Sequence, residues 1–260
     1  MSLSIKNLNY DVKNKRLLKD INASINSAKL VGIIGPNGAG KSTLFNCLSA
    51  LIPSKGAIHF NKRPLESYSH TALAKIRAAL PQVSNLNFPF KAKDIVAMSF
   101  ALSAISLEQQ KQFSNHCMDI MSATDLAERN YLNLSGGEKQ RIQLARVLAQ
   151  LLPYKDTDKM RLLLLDEPTA PLDLKYQFKL FAYLKQLVSQ NITTIAVIHD
   201  INLAATYCDE IWVMQAGELI KQNTPGDVIS REMMKRVFDV DVDIQYHQNL
   251  RRPIISNSIK

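Results

Sequence analysis

Eight consecutive residues constrain this chain more than any other feature, because they match the pattern G-x-x-x-x-G-K-[ST] in full. They are Gly35, Pro36, Asn37, Gly38, Ala39, Gly40, Lys41 and Ser42. Residues 29–34 before them are mostly apolar and β-branched, as in a buried parallel strand, and residues 43–48 continue as a helix. Strand, loop and helix thus occur in the order that the pattern requires. We predict a phosphate-binding loop in an α/β fold.

The residue types in this loop suit a nucleoside triphosphate. Glycines let the backbone curl so that successive N–H groups point at phosphate oxygens, and the helix N-terminus adds partial positive charge. We expect Lys41 to reach the β- and γ-phosphates and the Ser42 hydroxyl to ligate Mg²⁺. Thr43, at the start of the helix, is a further candidate for nucleotide binding. The alternative, a glycine-rich turn with a lysine that binds no phosphate, makes the flanking strand and helix coincidental.

Composition sets wide limits on function. With 260 residues, 46% hydrophobic and 21% charged, the chain suits one globular domain that carries a subdomain. We expect it to stay in the cytosol, because no apolar run approaches the ~18 residues of a membrane helix and the N-terminus resembles no signal peptide. Three widely spaced cysteines predict neither a disulfide framework nor a zinc site. A net charge of +9 fits an anionic membrane, a nucleic acid, a nucleotide or an ordinary solvated surface.

Strands that alternate with helices predict a doubly wound parallel sheet. The expected buried strands are 162–165, 193–198 and 211–214. Residues 3–25 alternate apolar and polar side chains, which favours antiparallel β-structure, and 57–60 add a strand. A helix after residue 173 is expected to bury one face, composed of Leu174, Phe178, Phe181, Leu184 and Val188.

The predicted organisation is a single domain over residues 1–260. About residues 1–82 and 153–240 form the core and the β-subdomain, and about 83–152 form an inserted helical subdomain, whose helices follow a loop from Gln82 to Phe90. Residues 241–260 form a tail. A helix is expected after Pro225, followed by a strand in which Val240, Val242, Ile244 and Tyr246 alternate with polar residues.

Acidic and imidazole side chains follow two of the predicted strands. Asp166 and Glu167 come directly after 162–165, at the strand end where open α/β sheets bind ligands. We expect Asp166 to hold the Mg²⁺ shell and Glu167 to accept a proton from the attacking water. His199 follows the next strand at the same edge. The alternative is that these strands merely turn polar at their ends, or that His199 is an ordinary surface histidine.

Residues 134–138 are the most informative after the phosphate loop. Ser135 and Glu138 have the S-x-x-E spacing of a capping box, so a helix begins there. Gly136 and Gly137 leave N–H groups of its first turn open to an anion. This second phosphate-seeking surface suggests a nucleotide held between two chains, although a capped helix with a flexible entry is the simpler interpretation.

In this order the motifs resemble those of the ATP-binding cassette (ABC) transporter ATPases. The matching segments are 35–42, Gln82, 134–138, 162–167, 170–173 and His199. The resemblance covers about residues 1 to 240. The combination of the sequence LSGGE, at residues 134–138, with a phosphate loop is highly specific. It implies a P-loop NTPase (RecA-like) core with an N-terminal antiparallel β-subdomain and an inserted helical subdomain. It also implies a head-to-tail homodimer with two ATP molecules at its interface.

The same resemblance implies roles for individual residues. Ser135, Gly136 and Gly137 would contact the γ-phosphate held by the partner's loop, and Asp173 would join them from the 170–173 segment. These assignments come from the family and not from spacing.

Three further roles are implied in the same way. Gln82 would link Mg²⁺ and the attacking water to the helical subdomain, and His199 would contact the γ-phosphate. Tyr10 would stack on adenine, although it also fits an ordinary strand aromatic.

Residues 131–151 are most similar to the haem importer ATPases, which belong to the type II importers together with iron–siderophore and vitamin B12 systems. The polar insertion at 153–159 is similar too. The resemblance implies two copies of a transmembrane permease, a substrate-binding protein outside the membrane, and a peripheral position on the cytoplasmic face of the bacterial inner membrane. An importer of iron–siderophore or vitamin B12 is the alternative. Pro171, Lys91 and Ser99 depart from the usual family residues.

Two other classes are weighed against an importer subunit. A soluble ABC protein acting on nucleic acid or the ribosome fits the positive charge, but the chain has neither a long heptad repeat nor a second cassette, so no nucleic acid is expected. A P-loop kinase leaves LSGGE unexplained.

Overall fold

The computed structural model describes residues 2–82, 86, 88–101, 103, 105–154, 159–247 and 252–257. Its strands are β1 (Leu3–Val12), β2 (Lys15–Ile25), β3 (Leu30–Ile34), β4 (Ile58–Phe60), β5 (Arg63–Pro64), β6 (Arg77–Leu80), β7 (Arg161–Asp166), β8 (Ile192–Val197), β9 (Glu210–Gln215), β10 (Glu218–Asn223), β11 (Val242–Tyr246) and β12 (Pro253–Asn257). Its α-helices are α1 (Lys41–Leu48), α2 (His70–Ile76), α3 (Ala92–Ala97), α4 (Leu107–Ile120), α5 (Gly136–Leu151), α6 (Leu174–Leu187), α7 (Ile201–Tyr207), α8 (Pro225–Val228) and α9 (Arg231–Phe238).

A six-stranded sheet forms the centre of the fold, with strand order β10-β9-β3-β8-β7-β6. All neighbours pair in parallel except β10, which is antiparallel to β9. Every residue of β3, β7 and β8 is buried, because both faces of the sheet are covered. The predicted α/β class with a parallel sheet is confirmed. The edge strand β6 was not predicted, because its sequence, Arg-Ala-Ala-Leu, lacks the β-branched residues that indicate a strand.

The N-terminal part forms a second, antiparallel sheet, with strand order β2-β1-β4-β5. Its apolar face packs in one core cluster with α1 and with inward-facing residues of the central sheet, Trp212 among them. A backbone hydrogen bond of 2.8 Å from Lys19 N to Gly217 O ties it to the turn between β9 and β10. The alternation of residues 3–25 therefore predicts this sheet correctly.

Helices α3, α4 and α5 lie between β6 and β7 in the chain and pack in the other core cluster, together with α6 and α7. The first of them begins at Ala92. Residues 83–85 and 87 of the predicted loop, and 155–158 of the polar insertion, lie outside the described residues. Within the described residues, no helix is long and apolar enough to cross a membrane.

Two details of the predicted helices and strands are wrong. Leu174 and Phe178 are exposed, at 63% and 46% of their surface, and the buried stripe of α6 consists of Leu180, Phe181, Leu184 and Leu187. The apolar period continues into the first turns of the helix, but there it is Tyr176 that packs against the core, and Leu174 and Phe178 face solvent. Val240 precedes β11 instead of forming part of it, because Asp239 ends α9 in the left-handed conformation and the strand starts at Val242.

The tail folds back on the core as a hairpin of β11 and β12. Asn202 of α7 makes two hydrogen bonds to the backbone of Ile255, of 3.0 and 2.8 Å. Arg252 donates to the carbonyl of Cys208 at 2.7 Å. These contacts attach the hairpin to the helix that follows His199.

Candidate active site

Four adjacent parallel strands bring the predicted site residues to one edge of the central sheet. The phosphate loop follows β3, and His199 follows β8 closely. Glu167 directly follows β7, and Gln82 lies two residues after β6. Because β3, β8, β7 and β6 are neighbours in this order, their carboxyl ends form one crevice.

The phosphate loop opens onto a cavity of about 370 Å³. The cavity is lined by Lys15, Leu17, Asn37, Gly38, Ala39, Gly40, Lys41, Ser42, Thr43, Gln82 and Glu167. The Lys41 ammonium folds back into the loop, where Nζ donates to the carbonyls of Gly35 at 2.8 Å and Pro36 at 2.9 Å. Burial lowers the pKa of Lys41, against the opposing effect of Glu167 and Asp166. The buried Lys41 ammonium is thus placed to bind an anionic ligand.

Both the lack of space for a side chain and the backbone conformation require glycine at position 35. Its φ is +154°, and a Cβ at this position would lie 2.1 Å from the carbonyl oxygen of Met214. A backbone atom of a central strand does not move aside cheaply. We expect Gly35→Ala to lower the free energy of unfolding by about 3 kcal/mol, at the upper end of overpacking effects, in urea denaturation.

Gly56→Ala is the matched control. Gly56 also has a positive φ, +78°, but no atom lies within 4 Å of an added Cβ. The control measures the backbone strain alone, for which about 1 kcal/mol is expected. Equal losses in the two variants would contradict the steric account of Gly35.

Asp166, the last residue of β7, has the environment of a metal ligand. Its side chain is 4% exposed, and Oδ1 has no hydrogen-bond partner among the described residues. Burial raises the pKa of Asp166, while a hydrogen bond from Ser42 opposes that rise. A buried, unpartnered carboxylate oxygen next to a hydroxyl offers the oxygen ligands that Mg²⁺ prefers. The residues present therefore fit this ion.

Glu167 is held by two of the other predicted residues. Gln82 Nε2 donates to Oε2 at 2.9 Å, and His199 Nε2 lies 2.5 Å from Oε1. The Glu167 backbone is left-handed, with a φ of 51°, so the chain turns sharply as it leaves β7. The turn places the carboxylate at the phosphate-loop cavity, next to the buried Asp166.

Helix α5 begins as the capping-box pattern predicts. The Ser135 hydroxyl accepts a hydrogen bond from Glu138 N, and the Glu138 carboxylate accepts one from Ser135 N. Ser135, Gly136 and Asp173 are exposed, and Gly137 is partly so. All four lie outside the described lining of the phosphate-loop cavity. They remain open to another molecule.

Tyr10 also lies apart from that lining. It borders a separate cavity of about 400 Å³, together with Lys6, Asn9, Ser54 and Lys55. The β1–β2 ladder shifts register on both sides of Tyr10, and its paired partner is Leu18. Stacking of Tyr10 on adenine therefore stays a prediction.

Lys15 and Leu17 line the phosphate-loop cavity, although the sequence analysis did not single them out. Both lie at the start of β2, directly after a polar turn whose local pattern indicates only a hairpin. Their position depends on how the antiparallel sheet packs against the loop. Only the pairing of two distant segments could have revealed them.

Comparison with known proteins agrees with this geometry. A family model described as ABC transporter matches residues 18–170. The hemin import ATP-binding protein HmuV of Pseudoalteromonas translucida is 40% identical over 256 residues, which cover 97% of this chain and 98% of that protein. The protein of the same name from Shewanella denitrificans is 38% identical, with 97% and 99% covered.

A solved structure of a dimeric bacterial ABC transporter cassette has a TM-score of 0.73 and 26% identity, and the match covers 85% of this chain and 98% of that one. The order of the motifs, their meeting at one sheet edge and these matches lead to one conclusion. The chain belongs to the ABC transporter family.

Proposed function

We propose that this chain is the ATP-hydrolysing subunit of an importer that takes up haem through a membrane permease. The observation that carries the hydrolytic part is the placement of Glu167, held between Gln82 and His199 at the cavity of the phosphate loop. Haem as the cargo is supported by the two relatives named hemin import ATP-binding protein, which match over nearly the full chain.

The phosphate loop provides binding and Glu167 provides the proton transfer. Loop N–H groups and the Lys41 ammonium would hold the β- and γ-phosphates. Glu167 would orient the attacking water and accept its proton as the water oxygen bonds to the γ-phosphorus and the bond to the β-phosphate oxygen breaks. His199 would fix the Glu167 carboxylate and contact the γ-phosphate.

Three residues would hold Mg²⁺ in this site: Ser42, Asp166 and Gln82. When Mg²⁺ is bound, it neutralises part of the phosphate charge. Gln82 also contacts Glu167, and it stands where the chain leaves the central sheet toward the helical part. It is therefore suited to link the state of the nucleotide to that part of the molecule.

The working unit in this proposal is a head-to-tail homodimer. The start of α5 is accessible, and the N–H groups of Gly136 and Gly137 are suited to an anion that another chain supplies, whereas Ser135 N donates to Glu138. The similar cassette that was solved as a dimer supports this arrangement. Two permease copies would bind the dimer at the cytoplasmic face of the membrane, with a substrate-binding protein on the other side.

Deletion of the gene tests the cargo. The deletion strain is expected to lose growth on haem as the only iron source and to keep growth on ferric siderophores, because the ATPase drives one permease. Complementation with the intact gene should restore growth, and complementation with a Glu167→Gln gene should not. The reverse growth pattern would favour a siderophore importer.

A further inference from the structure

The turn that carries Glu167 is held in place by contacts with residues outside the turn. Glu167 has the left-handed backbone that costs a non-glycine residue roughly 1–2 kcal/mol, so the surrounding structure must hold it. Within the turn, the hydrogen bond from Ala170 N to Glu167 O is long, at 3.4 Å, and Pro168 has no N–H to donate. The next carbonyl after Glu167, that of Pro168, accepts its hydrogen bond from a side chain of helix α5.

That side chain is Gln140, whose Nε2 donates to Pro168 O at 2.9 Å. One neighbour on α5, Gly137, approaches the same segment, and another, Arg141, contacts Tyr176 on α6. A Cβ on Gly137 would lie 2.8 Å from Pro171 O, so the helix and the segment are in close backbone contact there. The Arg141 guanidinium lies over the Tyr176 ring, 4.4 Å from its centroid. Helix α5 thus contacts the chain after Glu167 at three places.

We propose that Gln140 is a positioning residue for Glu167. Its amide holds the Pro168 carbonyl and so keeps the Glu167 carboxylate at the phosphate-loop cavity. The first turn of the same helix contains residues 135–137, which face a second chain in the proposed dimer. The position of the Glu167 carboxylate, the proposed proton acceptor, therefore depends on the position of helix α5. The inference rests on the proposed role of Glu167 in ATP hydrolysis.

Gln140→Met removes the donor and keeps the length of the side chain. We expect kcat for ATP hydrolysis to fall about tenfold, because small displacements of a catalytic group are costly, while KM stays within about twofold. Gln140→Glu replaces the donor by an acceptor and is expected to lower kcat at least as much.

Gln150→Met is the matched control. Gln150 lies on the same helix and also donates its amide to backbone carbonyls, those of Ala74 at 2.8 Å and Arg77 at 3.0 Å, away from the Glu167 turn. It should lower Tm about as much as Gln140→Met and leave kcat unchanged. An equal loss of kcat in the control would show a merely structural effect and overturn the inference.

A second readout uses Glu167→Gln as background. If Gln140 acts through Glu167, Gln140→Met should cause no further loss of the residual rate there. A full, additive loss overturns the inference. Wild-type kcat in Gln140→Met, with normal hydrolysis by the unmodified chain, overturns this inference alone. Absence of hydrolysis in the unmodified chain overturns the proposed function as well.

Discussion

Glu167→Gln is expected to lower the rate of ATP hydrolysis by about 10²–10⁴, the usual contribution of a general base, while ATP affinity is kept. Glutamine keeps the size of the side chain, its carbonyl oxygen can accept the Gln82 amide, and its NH₂ group can donate to His199 Nε2 in the tautomer that accepts there, but it cannot accept the proton of water. The phosphate loop is unchanged, so nucleotide should still bind. Steady-state hydrolysis and equilibrium binding of ATP measure the two quantities separately.

The same variant should accumulate as a dimer. ATP that is not hydrolysed would stay between the phosphate loop of one chain and residues 135–137 of the other, so mass action in ATP favours association. Light scattering with Mg²⁺ and ATP should give twice the monomer mass, and exchange into ADP should reverse it. Glu128→Gln, an exposed carboxylate paired with Lys91 and Lys93, is the control and should leave hydrolysis unchanged. Undiminished hydrolysis in Glu167→Gln would remove Glu167 from the mechanism.

Lys41→Met is expected to weaken ATP binding by roughly 10- to 100-fold. The variant loses a charged hydrogen bond to phosphate, worth about 1.5–3 kcal/mol. It keeps most of the apolar stem, and it leaves the carbonyls of Gly35 and Pro36 without their ammonium donor. Calorimetric titration with ATP measures the affinity, and ATP-dependent dimerisation should fail in parallel.

Lys15→Met provides the control for charge alone. Lys15 lines the same cavity but is exposed, so its attraction to the nucleotide is screened by water and salt. A small, salt-sensitive loss of affinity is expected, below about threefold. If the two lysine variants lose affinity equally, general positive charge and not the loop geometry binds the nucleotide.

The sequence could predict those features that depend on short patterns. The phosphate loop, the capping box at Ser135 and the acidic end of β7 each consist of a few consecutive residues, and the strand pattern places the first and the last of these relative to the sheet. Because parallel strands share one carboxyl edge, the meeting of Gln82, Glu167 and His199 followed from the predicted strands and from the family resemblance together.

The sequence alone could not predict features that depend on contacts between segments far apart in the chain. No local pattern tells that Gln140 meets the Pro168 carbonyl, or that Lys15 borders the phosphate loop. The apolar period of α6 included Leu174 and Phe178, yet burial also depends on how far the neighbouring elements extend. Strand β6 shows the opposite case, since pairing with β7 makes a strand of residues with little intrinsic preference for one.

The central claim is that each ATP site is built from the phosphate loop of one chain and residues 135–137 of another, and mixing two inactive variants tests it. Lys41→Met disables the loop. Gly136→Asp places a negative charge where phosphate would bind, and it keeps the Ser135 cap and fits the helix start, because only an ordinary 3.8 Å contact with Pro171 awaits its Cβ.

Each variant alone has both sites of its homodimer disabled. In a mixed dimer, one site combines the intact loop of the Gly136→Asp chain with the intact 135–137 segment of the Lys41→Met chain. In the proposed complex with the permease, where pairing of the two chains does not depend on ATP, random association in an equal mixture should restore roughly a quarter of the wild-type hydrolysis rate, because half of the dimers are mixed and each keeps one of its two sites. The account predicts this recovery, and a mixture no more active than its separate components would contradict it.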